Sequence, residues 1–276
     1  MKKLFFTLVA MMAMASGMYA QGKFEVKDFG TFKMHTYFTN DPMGDTAFII
    51  ETEHGLVTLD EPLMKDNFEE FNKYMKDLHK PVDYHIINFH EGGNPTNATV
   101  RAEGMTKFMS EGMYDNMMKG FQQSFGDKML DRPIGKTTEI RFGETLNNDG
   151  VTYKFEKAPA GGFPAATIII GGKVRATHSV PAKAHINGRS GDAAAIEASM
   201  KDAEAALVSG CELFIGSHGG YATKDVVEFQ ADYYKKVLEL AKQEKDADAF
   251  VTALKKAYPG LAGEDGLTQA AANLYK

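Results

Sequence analysis

The stretch that decides the fold is Val82–Val100, which reads V-D-Y-H-I-I-N-F-H-E-G-G-N-P-T-N-A-T-V. Its first half, up to Phe89, has the length and apolar character of a buried strand, and Gly92-Gly93 then predicts a turn. His90 stands at the end of that strand, where the strand fixes the backbone and the turn lets the imidazole point into a cleft. Such a position suits a metal ligand, but the further histidines and aspartates of a metal-binding loop are absent. The stretch is a metal site, the remains of one, or an ordinary turn.

The residues before this stretch predict strands followed by one helix. The segments K-F-E-V-K-D and T-F-K-M-H-T-Y-F alternate apolar and polar residues, as half-buried strands do. Ala47–Glu51 and Leu56–Leu59 predict a hairpin across E-H-G, because glycine suits a tight turn. Residues 62–79 carry apolar side chains at helical spacing, and Pro81 ends that helix.

The residues directly after the stretch are harder to assign. Thr96–Ser110 is predicted to be a helix. Residues 111–131 form an insertion, helix or loop, that could lie over a cleft. Its methionines suit either core filling or an adaptable apolar surface. They are Met113, Met117, Met118 and Met129.

The second half of the chain repeats the order of strands and then helices. From residue 137 onward, short strands are separated by N-N-D-G and G-G turns. A helix at Ala193–Val208, a strand at Cys211–Ile215 and helices at 222–243, 246–257 and 267–275 complete the chain. This alternation predicts an α/β fold in which sheets pack between helical layers.

The first twenty residues predict a secretory signal peptide. Lys2 and Lys3 precede an apolar run and then small residues, with cleavage expected after Ala20 or after Ala15. We therefore expect residues 21–276 to form a single domain that is exported to the periplasm or the extracellular space. No later segment has the length of a membrane span. Because Cys211 is the sole cysteine, the chain cannot form an intramolecular disulfide.

The charge of the chain argues against one class of partner. The 276 residues carry a formal net charge of −6, with no basic run beyond the two N-terminal lysines. A nucleic-acid-binding protein needs a clustered basic face to contact phosphates. We therefore expect the partner to be a small molecule or an envelope component, and not a nucleic acid.

Two more histidines share the context of His90. His178 ends the strand K-V-R-A-T, and His218 follows the strand C-E-L-F-I-G. If these three strand ends lie side by side, three imidazole nitrogens meet at one point. Three nitrogen donors would form a zinc site with an open fourth position.

The order of the motifs resembles the metallo-β-lactamase superfamily over nearly all of the mature sequence. D-T-A-F-I-I-E-T-E-H-G-L-V-T-L-D is similar to the family's opening hairpin, and Asp60 takes the place of its final aspartate. N-F-H-E-G-G-N stands where the family has the metal motif H-x-H-x-D-H followed by G-G-N. G-G-K-V-R-A-T-H and F-I-G-S-H-G-G resemble two later strands with their loops. The resemblance implies a four-layer αββα sandwich with residues 222–276 as its C-terminal helices.

The departures from the family pattern bear on function. In the family, H-x-H-x-D-H supplies two histidines to one zinc ion and an aspartate and a histidine to the second. Here His90 is followed at once by E-G-G-N, and His178 or Ser179 replaces the expected bridging aspartate. Only His218 stands clearly where the family pattern has a ligand. The resemblance therefore implies a two-zinc centre that has lost most of its ligands.

These departures leave three hypotheses. The first is an exported protein with an eroded site, no metal, and a cleft that binds a ligand. The alternative is a hydrolase of esters, amides or lactones that uses one zinc ion in a rearranged site. The third and weakest is a purely structural envelope protein.

The candidate site residues all lie in loops or at strand ends. Glu91 and Asp60 are the candidate general bases. The candidate zinc ligands are His90, His178 and His218. The candidate cleft residues are these three histidines together with Asn94 and His185, because His185 could fold back over the site.

The remaining histidines, the cysteine and one serine turn have simpler interpretations. We expect His35, His54 and His79 at the surface and His85 packed in the interior. Cys211 is expected in the core, and Ser190 or Asp192 is expected to cap a helix.

Overall fold

A computed structural model describes residues 22–93, 98–131, 136–158 and 165–276. The predicted signal peptide and Asn94 lie outside these residues. The strands are β1 (Lys23–Asp28), β2 (Lys33–Phe38), β3 (Thr46–Glu51), β4 (Leu56–Leu59), β5 (Val82–Ile86), β6 (Ala98–Ala102), β7 (Thr137–Ile140), β8 (Thr145–Asn148), β9 (Val151–Lys157), β10 (Ala166–Ile170), β11 (Val174–Ser179), β12 (Leu213–His218) and β13 (Gly220–Ala222). The α-helices are α1 (Lys65–Asp77), α2 (Met105–Ser110), α3 (Gly112–Phe125), α4 (Ala193–Val208), α5 (Lys224–Gln243), α6 (Ala247–Ala257) and α7 (Leu267–Leu274).

The first sheet has seven strands in the order β1-β2-β3-β4-β5-β6-β7. Strands β1 to β4 pair antiparallel, which confirms the predicted hairpin of β3 and β4, and β4 to β7 pair parallel. Helix α1 packs Phe71 and Met75 into one apolar cluster with Tyr37, Ile49 and Leu56 of the sheet. The helical spacing in residues 62–79 therefore marks a face that the sheet covers.

One predicted element is wrong. Residues 98–102, predicted as part of a helix, form strand β6, which pairs in parallel with β5 and β7. The β-branched Thr99 and Val100 suit this buried position between two strands, and the Ile87 backbone N–H donates to the Val100 carbonyl at 2.9 Å. The helix begins only at Met105, after Gly104 adopts a left-handed φ of 78°.

The second sheet has six strands in the order β13-β12-β11-β10-β9-β8. Two tight turns connect neighbouring strands of this sheet, as the sequence predicts. Asp149 and Gly150 join β8 to β9, and Gly171 and Gly172 join β10 to β11. All four residues have positive φ, which this kind of hairpin turn requires.

The insertion at 111–131 is largely helical. Met118 and Met129 are buried in an apolar cluster with Phe89, whereas Met113 and Met117 of α3 are 62% and 39% exposed. Met118 and Met129 therefore fill the core, and Met113 and Met117 contribute to an exposed apolar surface, which are the two roles that the sequence left open. The Tyr114 hydroxyl donates to the Phe89 carbonyl at 2.9 Å, so α3 is anchored to the residue directly before His90.

The described chain divides into two compact units. The first comprises residues 22–158, 165–180 and 215–220, and the second comprises residues 181–214 and 221–276. The second unit contains a helical core to which α4, α5, α6 and α7 contribute Ile196, Tyr233, Phe250 and Leu267. The three C-terminal helices that the sequence predicts are present. No helix among the described residues is both long and apolar enough to cross a membrane.

The simpler predictions hold with one exception. His54 and His79 are exposed, His85 and Cys211 are buried, and Asp192 caps α4 by accepting from the Ala195 backbone N–H. His35, predicted at the surface, is only 3% exposed. Its Nδ1 lies 2.8 Å from the Tyr74 hydroxyl of α1 and its Nε2 lies 3.0 Å from Glu51 Oε2. The prediction fails because α1 covers this face of β2.

The Asp60 carboxylate joins three separate segments of the first unit. Asp60 directly follows β4, is 1% exposed and has a φ of 51°. Its Oδ1 accepts from the backbone N–H groups of Asn88, Phe89 and His90 at 2.7, 2.9 and 3.3 Å. Its Oδ2 accepts from the Ser217 hydroxyl of β12. One buried carboxylate therefore fixes the loop that carries His90 and the residue before His218.

Replacement of Asp60 by alanine should be strongly destabilising. The Asp60→Ala change leaves three backbone N–H groups and one hydroxyl without their acceptor, at an expected cost of roughly 3 kcal/mol or more. Asp60→Asn keeps the Oδ1 acceptor and should fall between the wild type and the alanine variant. Urea denaturation measures the free energy of unfolding. Asp66→Ala, which removes an exposed acid from α1, is the control, and equal unfolding of the Asp60→Ala and Asp66→Ala variants would contradict the role of the carboxylate.

His35 should make the stability of the fold sensitive to mild acid. Burial, partly opposed by Glu51, lowers the pKa of His35 below its usual value of 6.5. The folded state therefore favours the neutral ring, so its contribution to stability is present above about pH 6.5 and is lost as the pH falls below that value. We expect the urea midpoint to decrease between pH 7.5 and 5.5. His35→Gln should reduce this decrease, and an unchanged pH dependence would contradict the assignment.

Candidate metal centre

Two strand ends and one loop of the first unit present the three predicted histidine ligands, because β5 ends at Ile86 and not, as predicted, at Phe89. His90 lies in the loop after β5, His178 is the penultimate residue of β11, and His218 is the last residue of β12. The Val180 backbone N–H donates to the His218 carbonyl at 3.1 Å, which joins the ends of β11 and β12. A Cβ atom on Gly216 would lie 2.3 Å from the Val180 nitrogen, so glycine is required for this close approach.

The structure brings the three imidazoles together. One ring nitrogen of each histidine lies within 4.8 Å of the corresponding nitrogens of the other two. His90 Nε2 and His218 Nε2 are 3.3 Å apart. The His178 ring stacks on Phe89 at a centroid distance of 4.2 Å, which restrains its orientation. Convergence of three nitrogen donors, which the sequence could only suggest, is therefore present in the fold.

The spacing of the nitrogens fits a metal ion. Two imidazole nitrogens bound to tetrahedral zinc at about 2.0–2.1 Å stand roughly 3.3–3.4 Å apart. The separation of His90 Nε2 and His218 Nε2 has this value. Imidazole suits zinc, iron, copper and nickel. His90 and His218 therefore have the spacing of two ligands of one ion, and His178, with a nitrogen within 4.8 Å of both, adds a third donor of the same chemistry.

The protonation state of His90 also suits a ligand role. Burial is the main reason, and the neighbouring His218 the second, that the pKa of His90 is lowered to about 3. The ring is consequently neutral near pH 7. One of its two nitrogens then carries a free lone pair, as metal binding requires.

Asp45, which the sequence analysis did not single out, contacts two of the three histidines. Its Oδ1 lies 3.3 Å from His218 Nδ1 and its Oδ2 lies 3.7 Å from His90 Nδ1. Asp45 is 3% exposed. Burial, followed by the negative charges of Asp41 and Asp60, raises the pKa of Asp45 to about 8. A positive charge beside the histidines would oppose this effect and favour the ionised carboxylate.

The two candidate bases make structural contacts. Glu91 is 6% exposed, and its Oε1 lies 3.2 Å from Nη2 of Arg101 in β6, which forms a buried ion pair. The carboxylate oxygens of Asp60 accept from the loop of His90 and from Ser217. These contacts link neighbouring segments of the fold, whereas a general base needs an oxygen directed at its substrate.

The structure does not bring His185 into the group of metal-ligating atoms. His185 belongs to the second compact unit, where its Nδ1 lies 2.9 Å from the Tyr233 hydroxyl. Its backbone N–H donates to the Ala262 carbonyl at 2.8 Å. The expectation that His185 completes the site finds no support in these contacts. Asn94, the other predicted cleft residue, lies outside the described residues.

Comparison with known proteins gives a result for structure but none for sequence. No protein-family profile matches the sequence, and no curated protein is significantly similar to it. An archaeal metallo-β-lactamase superfamily protein from Sulfolobus tokodaii matches with a TM-score of 0.51 and 13% identity, over 85% of this chain and 97% of that chain. A flavo di-iron protein variant from Thermotoga maritima matches with a TM-score of 0.56 and 11% identity, over 92% and 76% of the two chains.

A third solved structure is an enzyme by its name. The stereoselective inverting sec-alkylsulfatase Pisa1 from Pseudomonas sp. matches with a TM-score of 0.54 and 16% identity, over 88% of this chain and 46% of that chain. At these identities the similarity establishes the fold and leaves activity open. The α/β class predicted from the sequence is confirmed, and the chain has the metallo-β-lactamase fold.

Proposed function

We propose that this chain is an exported metal-dependent hydrolase that holds a single ion, zinc in the simplest case, at His90, His178 and His218. The observation that carries the proposal is the 3.3 Å separation of His90 Nε2 and His218 Nε2. A pair of neutral imidazoles can share one N–H···N hydrogen bond at this distance, but the spacing is also that of two nitrogens bound to one tetrahedral ion. The convergence of a third ring, His178, on the same point favours the ion.

One ion fits this chain better than two. The segment F-H-E-G-G-N offers one histidine where H-x-H-x-D-H would offer three histidines and an aspartate. The metal-ligating group found among the described residues likewise consists of three histidines. The names of solved structures with this fold, which include a flavo di-iron protein and a metallo-β-lactamase, support metal binding by a chain of this fold.

The chain's own residues prepare the site for hydrolysis. A bound zinc ion would supply Lewis-acid chemistry that lowers the pKa of water to about 7. The Asp60 carboxylate holds the His90 loop in place, and Phe89 restrains the ring of His178. Three protein ligands leave a fourth position of a tetrahedral site for the reacting group. We propose esters, amides or lactones as the substrate class, because their carbonyl groups accept a water-derived nucleophile.

The cellular location is also part of the proposal, and its support comes from the sequence. Lys2, Lys3 and the apolar run that follows support export to the periplasm or the extracellular space. The acidic net charge supports a small-molecule or envelope partner over a nucleic acid.

A ligand-binding protein without catalytic turnover is the second candidate. It is favoured because both candidate general bases already have structural partners. Glu91 pairs with Arg101, and Asp60 accepts hydrogen bonds from backbone N–H groups. A site without a carboxylate base relies on the metal alone to activate water. In this case the three histidines would form the floor of a ligand site.

The first prediction of the proposed function concerns metal stoichiometry. Residues 21–276, freed of metal with a chelator, should bind one zinc ion per chain in isothermal titration calorimetry. His218→Ala removes one of three ligands and should weaken the zinc affinity on the order of 100-fold or more. His79→Ala replaces an exposed histidine and should bind as the wild type does. An absence of zinc binding, or equal losses in both variants, would contradict the proposal.

The second prediction separates the two candidate functions. The zinc-loaded chain should hydrolyse members of a panel of aryl esters, anilides and lactones, and turnover should disappear on chelation and in His218→Ala. Each assay is repeated with His79→Ala, which should remain active. Stoichiometric zinc without turnover of any carbonyl substrate would favour the ligand-binding candidate and reject the hydrolase.

A further inference from the structure

We propose that Asp45 is a positioning residue that holds two metal ligands, His90 and His218, through their Nδ1 atoms. This inference rests on the proposed metal site and gives a role to Asp45, the first residue of the D-T-A-F-I-I stretch, to which the sequence analysis assigned none. The geometry behind it is that the two oxygens of one carboxylate face two different imidazoles, at 3.3 and 3.7 Å.

The position of Asp45 is fixed by its own backbone. Its carbonyl accepts from the Thr39 backbone N–H at 3.2 Å and from the Thr39 hydroxyl at 2.8 Å. Its N–H donates to Asp41 Oδ1 at 3.3 Å. Asp45 also forms an antiparallel bridge with His218. The carboxylate therefore starts from a rigid point directly before β3, as a group that orients other side chains must.

Among the residues that the structure describes, the two carboxylate oxygens of Asp45 lack hydrogen-bond donors, and the two imidazoles are the groups placed to supply them. Both oxygens are buried, and neither has a hydrogen bond within the described residues. Buried carboxylate oxygens without an acceptor role are rare in folded proteins, because desolvation without a partner is costly. The Nδ1 atoms of His90 and His218 lie within ion-pair distance, one for each oxygen. A small tightening on ligand binding would convert these contacts into hydrogen bonds, as is common in sites that assemble around a ligand.

The consequence for the histidines is a choice of tautomer. A neutral imidazole carries its proton on one nitrogen and a lone pair on the other. An acceptor at Nδ1 keeps the proton there and leaves the lone pair on Nε2. Because Asp45 faces Nδ1 of both rings, both Nε2 atoms present lone pairs, and these are the two atoms found 3.3 Å apart. The carboxylate thus selects the state of two ligands at once.

The test compares substitutions of two acids from the same turn. Asp45→Asn keeps the side-chain volume but offers one acceptor oxygen for two rings, and Asp45→Ala offers none. Asp41→Asn removes a neighbouring carboxylate but keeps the Oδ1 acceptor for the backbone N–H groups of Met43 and Asp45. Zinc affinity by competition with a chelator should fall about 10- to 100-fold in Asp45→Ala, less in Asp45→Asn, and little in Asp41→Asn.

A spectroscopic measurement distinguishes positioning from a general loss of structure. In proton NMR spectra of the zinc-loaded wild type, we expect exchange-protected downfield Nδ1–H signals from His90 and His218. One should be lost in Asp45→Asn and both in Asp45→Ala, while Asp41→Asn keeps both. Unchanged affinity and unchanged signals in Asp45→Asn would overturn the role of Asp45 and leave the metal site standing. A wild type that binds no zinc would overturn the proposed function, and this inference with it.

Discussion

The arrangement of the candidate site depends on one buried interaction, the acceptance of four hydrogen bonds by the Asp60 carboxylate. Its Oδ1 holds the backbone of Asn88, Phe89 and His90, and its Oδ2 holds Ser217. The loop after β5 and the end of β12 belong to different sheets. Two hydrogen bonds between the Asn88 side chain and the Ala166 backbone add a second link between the sheets. The Asp60 carboxylate therefore contributes directly to the spacing between the His90 loop and the end of β12.

Two buried aspartates divide the work of organising the histidines. Asp60 positions main-chain groups, whereas Asp45 faces the rings themselves. Phe89 adds a third restraint by stacking on His178. The candidate site thus combines two strand-end histidines with His90 of the loop after β5, and Glu91 forms an ion pair with Arg101.

The sequence was sufficient for features that depend on local pattern, and insufficient for those that depend on distant partners. The glycine turns, the hairpin of β3 and β4 and the strand-end positions of His178 and His218 follow from period and turn chemistry. Strand β6 was missed because its pairing with β5 and β7 overrides a weak local preference. His35 and Asp45 were missed for a related reason, since α1 and β12 reach them from far along the chain.

Zinc K-edge X-ray absorption on zinc-loaded residues 21–276 tests the proposed metal site most directly. We expect a first shell that contains three imidazole nitrogens at about 2.0–2.1 Å, with the multiple scattering of three histidine rings. His218→Ala should lower this number to two in any zinc that it retains. A shell with oxygen ligands alone, or with fewer than three imidazoles in the wild type, would contradict the convergence of His90, His178 and His218 on one ion.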